Sequence, residues 1–339
     1  MNFRRKSFIA FIVLLHLLAA CGDRGPTEYQ LTGPTMGTTF SVTIVAERDV
    51  DLDNLRSRIH TTLDDVDRRM STWREDSELV RFNNSQSTDW HSVSEDLCVS
   101  ILLSLEIGKI TTGAFDITVG RLVDMWGFGS HTVIGPPSEE NIQKAKRETG
   151  LQHIQTDCPN SEIRKTRPGV RVDLSGYCKG HAADEIAIVL NEQEIENFLV
   201  EIGGDLYSQG RKANGDKWRV AIEMPDSGGQ AIERTIEVGS NAVATSGDYR
   251  NFFEVDGKRY SHTIDPRTGR PVTHNLASVT VLFDNAAIAD GYATALLVLG
   301  PDAGYEMAER LNIPAYFLVR EGDSFTERMS PEFTMLADP

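Results

Sequence analysis

The sequence predicts an α+β fold built on largely antiparallel sheets flanked by helices. Three observations carry this. Helical-period and strand-period segments are interspersed without regular βαβ alternation, strands dominate from Phe198 onward, and Asp256-Gly257 between two strand-like runs marks a tight hairpin. With 339 residues, 40% of them hydrophobic and 25% charged, the chain has an ordinary globular composition and the length for a sizeable core.

The first segment reads as a leader over residues 1–20. Arg4, Arg5 and Lys6 precede an apolar run from Phe8 to Ala20 that is broken only by His16 and is too short to span a membrane stably. The run ends in Leu18-Ala19-Ala20-Cys21, which resembles the lipobox of bacterial lipoproteins; a plain secretory signal leaves Cys21 unexplained. Cys21 is therefore the expected lipidation site, 21–32 a lipid-anchored spacer and 33–339 the folded domain. Paired acyl chains anchor firmly, at about 0.8 kcal/mol per buried methylene. The expected location is the periplasmic face of the cell envelope, with the inner membrane as the expectation although Gly22 does not decide it.

Along the body, Thr39–Val45 alternates as a strand, and Leu55, Ile59, Leu63, Val66 and Met70 fall at helical spacing within Leu52–Met70. Ser94 caps a Leu/Ile-rich helix to Thr111, and Pro136–Gly150 holds a short charged helix. Val170–Leu174 reads as a brief strand, followed by a glycine turn and a helix over Ala182–Asn191. Phe198–Ile202, Leu206–Gly210, Trp218–Glu223, Phe252–Val255, Lys258–His262 and Leu276–Phe283 are strands. A helix over Ala286–Leu299, closed by Gly300-Pro301, and a strand over Ala315–Arg320 complete the pattern.

The formal charge is -16, and loss of Arg4, Arg5 and Lys6 with the leader takes it to -19. That balance speaks against nucleic acid as a partner. A polyanionic ligand must be held by local cations or a metal ion against the field of the whole protein. Beyond Cys21 there are three cysteines, Cys98, Cys158 and Cys178. One pair plus a free thiol is compatible with an oxidising compartment, and the pairing is open.

Four segments carry chemistry. In Asp173-Leu174-Ser175-Gly176-Tyr177-Cys178-Lys179-Gly180 a glycine turn enters a helix, whose first amides and Lys179 suit a phosphate; the glycine equally serves tight packing. Asp290 and Thr294 share one helix face, an oxygen pair suited to Mg²⁺ or simply a helix carboxylate and a back-bonded threonine. His262, three residues before Asp265, is a candidate general base or a structural histidine. Gly113-Ala114-Phe115-Asp116 places an aromatic beside a carboxylate, to line a ring-binding pocket or fill the core.

These blocks occur in order with Pro34-Thr35-Met36-Gly37-Thr38, Met70-Ser71-Thr72-Trp73, Glu201-Ile202-Gly203-Gly204-Asp205, Ala244-Thr245-Ser246-Gly247 and Ser261 to Pro266. From Gly33 to about Arg320 the chain closely resembles the ApbE family of FAD:protein FMN transferases. The resemblance implies an ApbE-like fold and transfer of the FMN part of FAD, through a phosphoester bond, to a Thr or Ser of an acceptor protein, with release of AMP. It also implies that Met36, Trp73, Ala114, Phe115, Asp116, Asp173, Lys179 and Ile264 line the FAD site. Asp290 and Thr294 would hold Mg²⁺ with a backbone oxygen of Gly176, and His262 would activate the acceptor hydroxyl. Trp73 stands where tyrosine is common in the family, which keeps a flat face for a ring. The implied acceptors are membrane electron-transport subunits, of Na⁺-pumping NADH:quinone reductase or Rnf type, carrying an S/T-G-A-T-like motif. Alternatives are an Mg²⁺-dependent FAD pyrophosphatase yielding FMN and AMP, and a non-catalytic FAD-binding lipoprotein.

Overall fold

The computed structural model describes residues 25–46, 49–130, 135–225, 232–249, 251–322 and 324–337. The leader and Cys21 lie outside the described residues. The helices are α1 (Leu52–Met70), α2 (Glu78–Asn84), α3 (Glu95–Ile110), α4 (Gly120–Met125), α5 (Glu139–Lys146), α6 (Cys178–Glu192), α7 (Ala286–Leu299), α8 (Pro301–Leu311) and α9 (Pro331–Ala337). Among the described residues, no helix is long and apolar enough to cross a membrane.

A central sheet of eight strands organises the molecule, in the order Thr27–Thr35, Thr38–Ala46, Asn197–Ile202, Asp205–Gln209, Ala242–Gly247, Leu276–Phe283, Ala315–Glu321, Ser324–Met329. Every neighbouring pair is antiparallel, as expected. The main core joins one face of this sheet to α1, α3, α6 and α7. The other face, carrying Val45, Val243, Leu282, Tyr316 and Leu318, is covered by the hairpin of Trp218–Glu223 with Ile232–Val238 and by Phe333 of α9. Leu276–Phe283 is buried on both faces and so reads as a nearly continuous apolar run.

Local chemistry accounts for the boundaries. Asp51, Ser77, Ser94, Ser138 and Asn285 each accept a backbone N–H in the first turn of the helix they precede, satisfying donors that have no intrahelical partner. The Phe252–Val255 and Lys258–Ser261 hairpin forms as expected, with Asp256 and Gly257 both at positive φ, 52° and 72°.

Several elements depart from expectation. The first strand starts at Thr27, inside the stretch assigned to the spacer, and pairs along its whole length with Thr38–Ala46. The expected strand Val170–Leu174 is reduced to one parallel bridge between Val119 and Arg171. Its backbone is satisfied instead by a side chain: the Asn83 amide donates to the Val172 carbonyl and accepts from the Val172 N–H, both at 2.8 Å. Helix α6 begins at Cys178 rather than Ala182, and Gly180 in its first turn lies against α7, where an added Cβ would meet the Ala286 carbonyl oxygen at 2.1 Å. Helix α7 ends at Leu299 with Gly300 as its cap, as expected, but Pro301 then opens a further helix, α8, that the sequence pattern did not mark. Cys98 and Cys158 form a disulfide, and Cys178 is free and buried.

Candidate active site

A cleft of about 370 Å³ opens where the strand Ala242–Gly247 meets α6, α7 and the loops bearing Phe115, Asp173 and His262. A larger cavity, about 700 Å³, lies elsewhere; Asp49, Asp51, Glu194 and Glu196 line it, and it holds none of the expected site residues. Its acidic wall is unsuited to phosphate.

At the floor of the cleft, three charged groups converge from distant segments. Lys179, in the first turn of α6, contacts Asp205 and lies 3.7 Å from Asp290 of α7. Asp205 is delivered by the Gly203-Gly204 turn, with φ of 56° and 97°, and its Oδ1 accepts the Thr245 N–H at 3.3 Å. Asp290 is buried, and its Oδ2 has no hydrogen-bond partner. Burial, followed by the charge of Asp205, pushes its pKa well above the ordinary carboxylate range. Asp205 and Asp290 thus face one ammonium, and a further cation beside them would favour the ionised form of Asp290.

One turn along α7, Thr294 Oγ1 lies 3.3 Å from Ser246 Oγ. Gly176 comes directly against it: a Cβ there would sit 2.8 Å from Thr294 Oγ1 and 3.2 Å from the Phe115 ring. An orphaned carboxylate oxygen, a hydroxyl and a close-lying glycine backbone form a small hard-oxygen cradle, the donor set that suits Mg²⁺.

The walls come from turns. After α3, Thr112 and Gly113 take positive φ, 56° and 77°, and hand the chain to buried Ala114 and Phe115. Asp116 follows; its Oδ1 accepts from the Thr118 N–H at 2.8 Å and the Thr118 hydroxyl at 2.5 Å, and burial raises its pKa. Asp173 Oδ1 accepts the Ser175 N–H at 2.8 Å, which closes the turn leading to Gly176. Ile264 is buried behind His262, and Trp73 stands at the rim with 64% of its surface exposed.

His262 also lines the cleft, half-buried and edge-on to Phe128. Its Nδ1 donates to the Asn251 carbonyl at 2.9 Å, so Nε2 carries the lone pair. Burial lowers its pKa, against smaller raising effects of the Asn251 carbonyl and Asp248, so the ring is neutral at physiological pH.

The cleft thus gathers Trp73, Ala114, Phe115, Asp116, Asp173, Gly176, Lys179, His262, Ile264, Asp290 and Thr294. Met36 is not in its wall. It occupies a left-handed turn position, φ 45°, and packs against the core; Thr38, two residues on, reaches the wall by lying against Gly203. Asp205, Ser246, Asn251 and Phe128 are site residues that no periodicity marks. The Gly203-Gly204-Asp205 turn is a sequence signal for the first of them, because two glycines between short strands deliver the next side chain at a fixed place.

A cleft with a half-buried ammonium, an oxygen cradle, aromatic faces and a neutral histidine suits an enzyme whose ligand is flat and bears phosphate. The comparisons agree with that class. The ApbE family profile matches residues 36–317. The FAD:protein FMN transferase of Klebsiella pneumoniae (strain 342) is 42% identical over 339 residues, covering 98% of this chain and 97% of its own, and that of Escherichia coli (strain K12) is 42% identical, covering 89% and 87%. Among solved structures, the flavin transferase ApbE from Vibrio cholerae superimposes with a TM-score of 0.85 at 39% identity, covering 92% of this chain and 99% of its own. The Pseudomonas stutzeri flavinyl transferase ApbE gives 0.84 at 36%, covering 93% and 98%. The chain belongs to the ApbE family.

Proposed function

We infer that this chain is an FAD:protein FMN transferase, which moves the FMN part of FAD onto a Thr or Ser hydroxyl of an acceptor protein and releases AMP. The carrying observation is that one cleft holds Lys179, beside Asp205 and Asp290, together with a histidine whose Nε2 is basic.

The acceptor oxygen attacks the FMN-side phosphorus of FAD while its proton passes to His262 Nε2. The new P–O bond replaces the bond to the AMP phosphate, which leaves with the electron pair. Lys179 offsets charge on the pyrophosphate, and Phe115 and Trp73 offer ring faces to the flat parts of FAD. Mg²⁺, held by Asp290, Thr294 and the Gly176 backbone, would neutralise the phosphates and stabilise the leaving group. Asp116 and Asp173 shape the cleft through the turns they close. The acceptors are membrane electron-transport subunits with an S/T-G-A-T-like motif, and a lipid on Cys21 would raise the effective concentration of such partners.

Water in place of the acceptor hydroxyl would make the same arrangement an FAD pyrophosphatase, since His262 Nε2 would accept its proton equally. The test is to incubate the chain with FAD, Mg²⁺ and an acceptor subunit, then weigh the acceptor by mass spectrometry. A gain of one FMN with AMP release is expected. An unmodified acceptor with free FMN and AMP would establish the hydrolase instead, and no AMP at all would reduce the chain to an FAD binder.

A further inference from the structure

Away from the cleft, one cluster of metal-ligating side chains has no part in the transferase chemistry. Helix α6 presents His181 and Glu185 one turn apart, and the first turn of α3 brings Asp96 to them, with one ligand atom of each within 4.8 Å of the others. His181 is 8% exposed and its ring stacks on Tyr177. Its Nε2 pairs with Asp96 Oδ1 at 3.1 Å; against the lowering effect of burial this contact raises the ring's pKa, but the pair is off the line of a good hydrogen bond. Two donor atoms crowded together without pointing at one another fit a shared third atom. Bonds of about 2.0–2.2 Å at tetrahedral angles put adjacent ligand atoms about 3.3 Å apart.

We propose that Asp96, His181 and Glu185 bind a divalent transition cation of the zinc class where α3 meets α6. An imidazole with two carboxylates suits such an ion better than Mg²⁺, which prefers oxygen alone. Three carboxylates, Asp65, Asp96 and Glu185, face Arg69 from α1 and the His181 ring, so the cluster can take a further cation. Arg69 Nη1 holds the far oxygen of Asp96 at 2.8 Å, orienting the carboxylate as an outer partner of a metal ligand does. Asp184 is committed elsewhere, its two oxygens accepting the Ala286 and Ala287 N–H groups at 2.9 Å. The ion would fasten α6 to α3 two residues from Lys179, and it stands independently of the transferase reading.

The test uses the untagged full-length chain in detergent, freed of metal by a chelator and titrated with Co²⁺, whose visible bands report coordination. Parent, Asp290→Ala, His181→Ala and Glu185→Gln are compared, with circular dichroism and FAD binding as checks of folding. Expected is one Co²⁺ equivalent that survives Asp290→Ala, is lost in His181→Ala and is weakened about tenfold or more in Glu185→Gln. Glu185→Gln, a conservative change on a half-buried side chain, decides the matter if His181→Ala fails to fold. Absence of Co²⁺ uptake by Asp290→Ala, or parental uptake by either ligand variant that folds, would overturn the site and leave only an Arg69–Asp96–His181 ion-pair network.

Discussion

The carbonyl oxygen of Asn251 accepts two bonds from His262, one from Nδ1 at 2.9 Å and one from the backbone N–H at 3.1 Å. A single peptide oxygen therefore fixes both the position and the tautomer of the ring, and Nε2 is the nitrogen left to take a proton.

Replacing His262 by Ala should leave FAD binding intact while transfer falls by about 10²–10⁴-fold, the usual contribution of a positioned base. Equal loss of binding and transfer would make the histidine structural. Because burial lowers its pKa below the ordinary 6.5, the basic form is already full at neutral pH. Transfer should rise with pH on the acid side and be level by about pH 7; a limb still rising above that value contradicts the assignment.

Asp290→Ala removes the orphaned oxygen of the cradle. Mg²⁺-dependent turnover should disappear, read by AMP release with and without Mg²⁺. Full activity would sink the metal assignment.

Gly176→Ala tests how tightly the cradle is drawn. The added methyl would stand 2.8 Å from Thr294 Oγ1 and 3.2 Å from Phe115, so the loop or α7 must shift, at a cost of about 1–3 kcal/mol. We expect a folded protein, by circular dichroism, with turnover reduced more than thermal stability. Parental kinetics would show that the loop yields freely.

Lys165 offers a prediction away from the site. It is fully buried, and its ammonium donates to the carbonyls of Phe82, Asn83 and Val170 at 3.1, 3.0 and 3.4 Å. Burial pushes its pKa from 10.5 down to about 8. A folded pKa below the unfolded one means that the unfolded chain binds more protons between those values, so stability should rise as pH increases from about 8 to 10.5. Urea midpoints across that range should show the slope in the parent and its absence in Lys165→Met. That variant should also lose about 1–3 kcal/mol at neutral pH from the stranded carbonyls.

Periodicity was enough for much of the fold. The apolar positions of α1, the Ser94 cap of α3 and the Asp256-Gly257 turn are local signals, and each element appears where its residues put it. What was illegible depends on partners far along the chain. Val172 looks like a strand residue, yet its backbone bonds go to Asn83, a polar side chain with no local signature. The packing of Gly180 against Ala286 and the Lys179–Asp205–Asp290 group both join segments that no spacing rule links. Family motifs named residues that line the cleft, whereas Met36, half-buried at a left-handed turn position, packs against the core outside the cleft wall.

The pairing of Phe40 with Ile202 closes a loop of about 160 residues, and the Cys98–Cys158 link, spanning 60 residues, lies wholly inside it. Forming that link first shortens the loop to about 100 residues, which by the logarithmic law of loop closure lowers the entropic cost by only about 0.4 kcal/mol. Oxidation should therefore change the refolding rate no more than about twofold. The remote pairing of Thr38–Ala46 with Asn197–Ile202, rather than the disulfide, is then the contact expected to slow folding, as in sheets assembled from distant sequence.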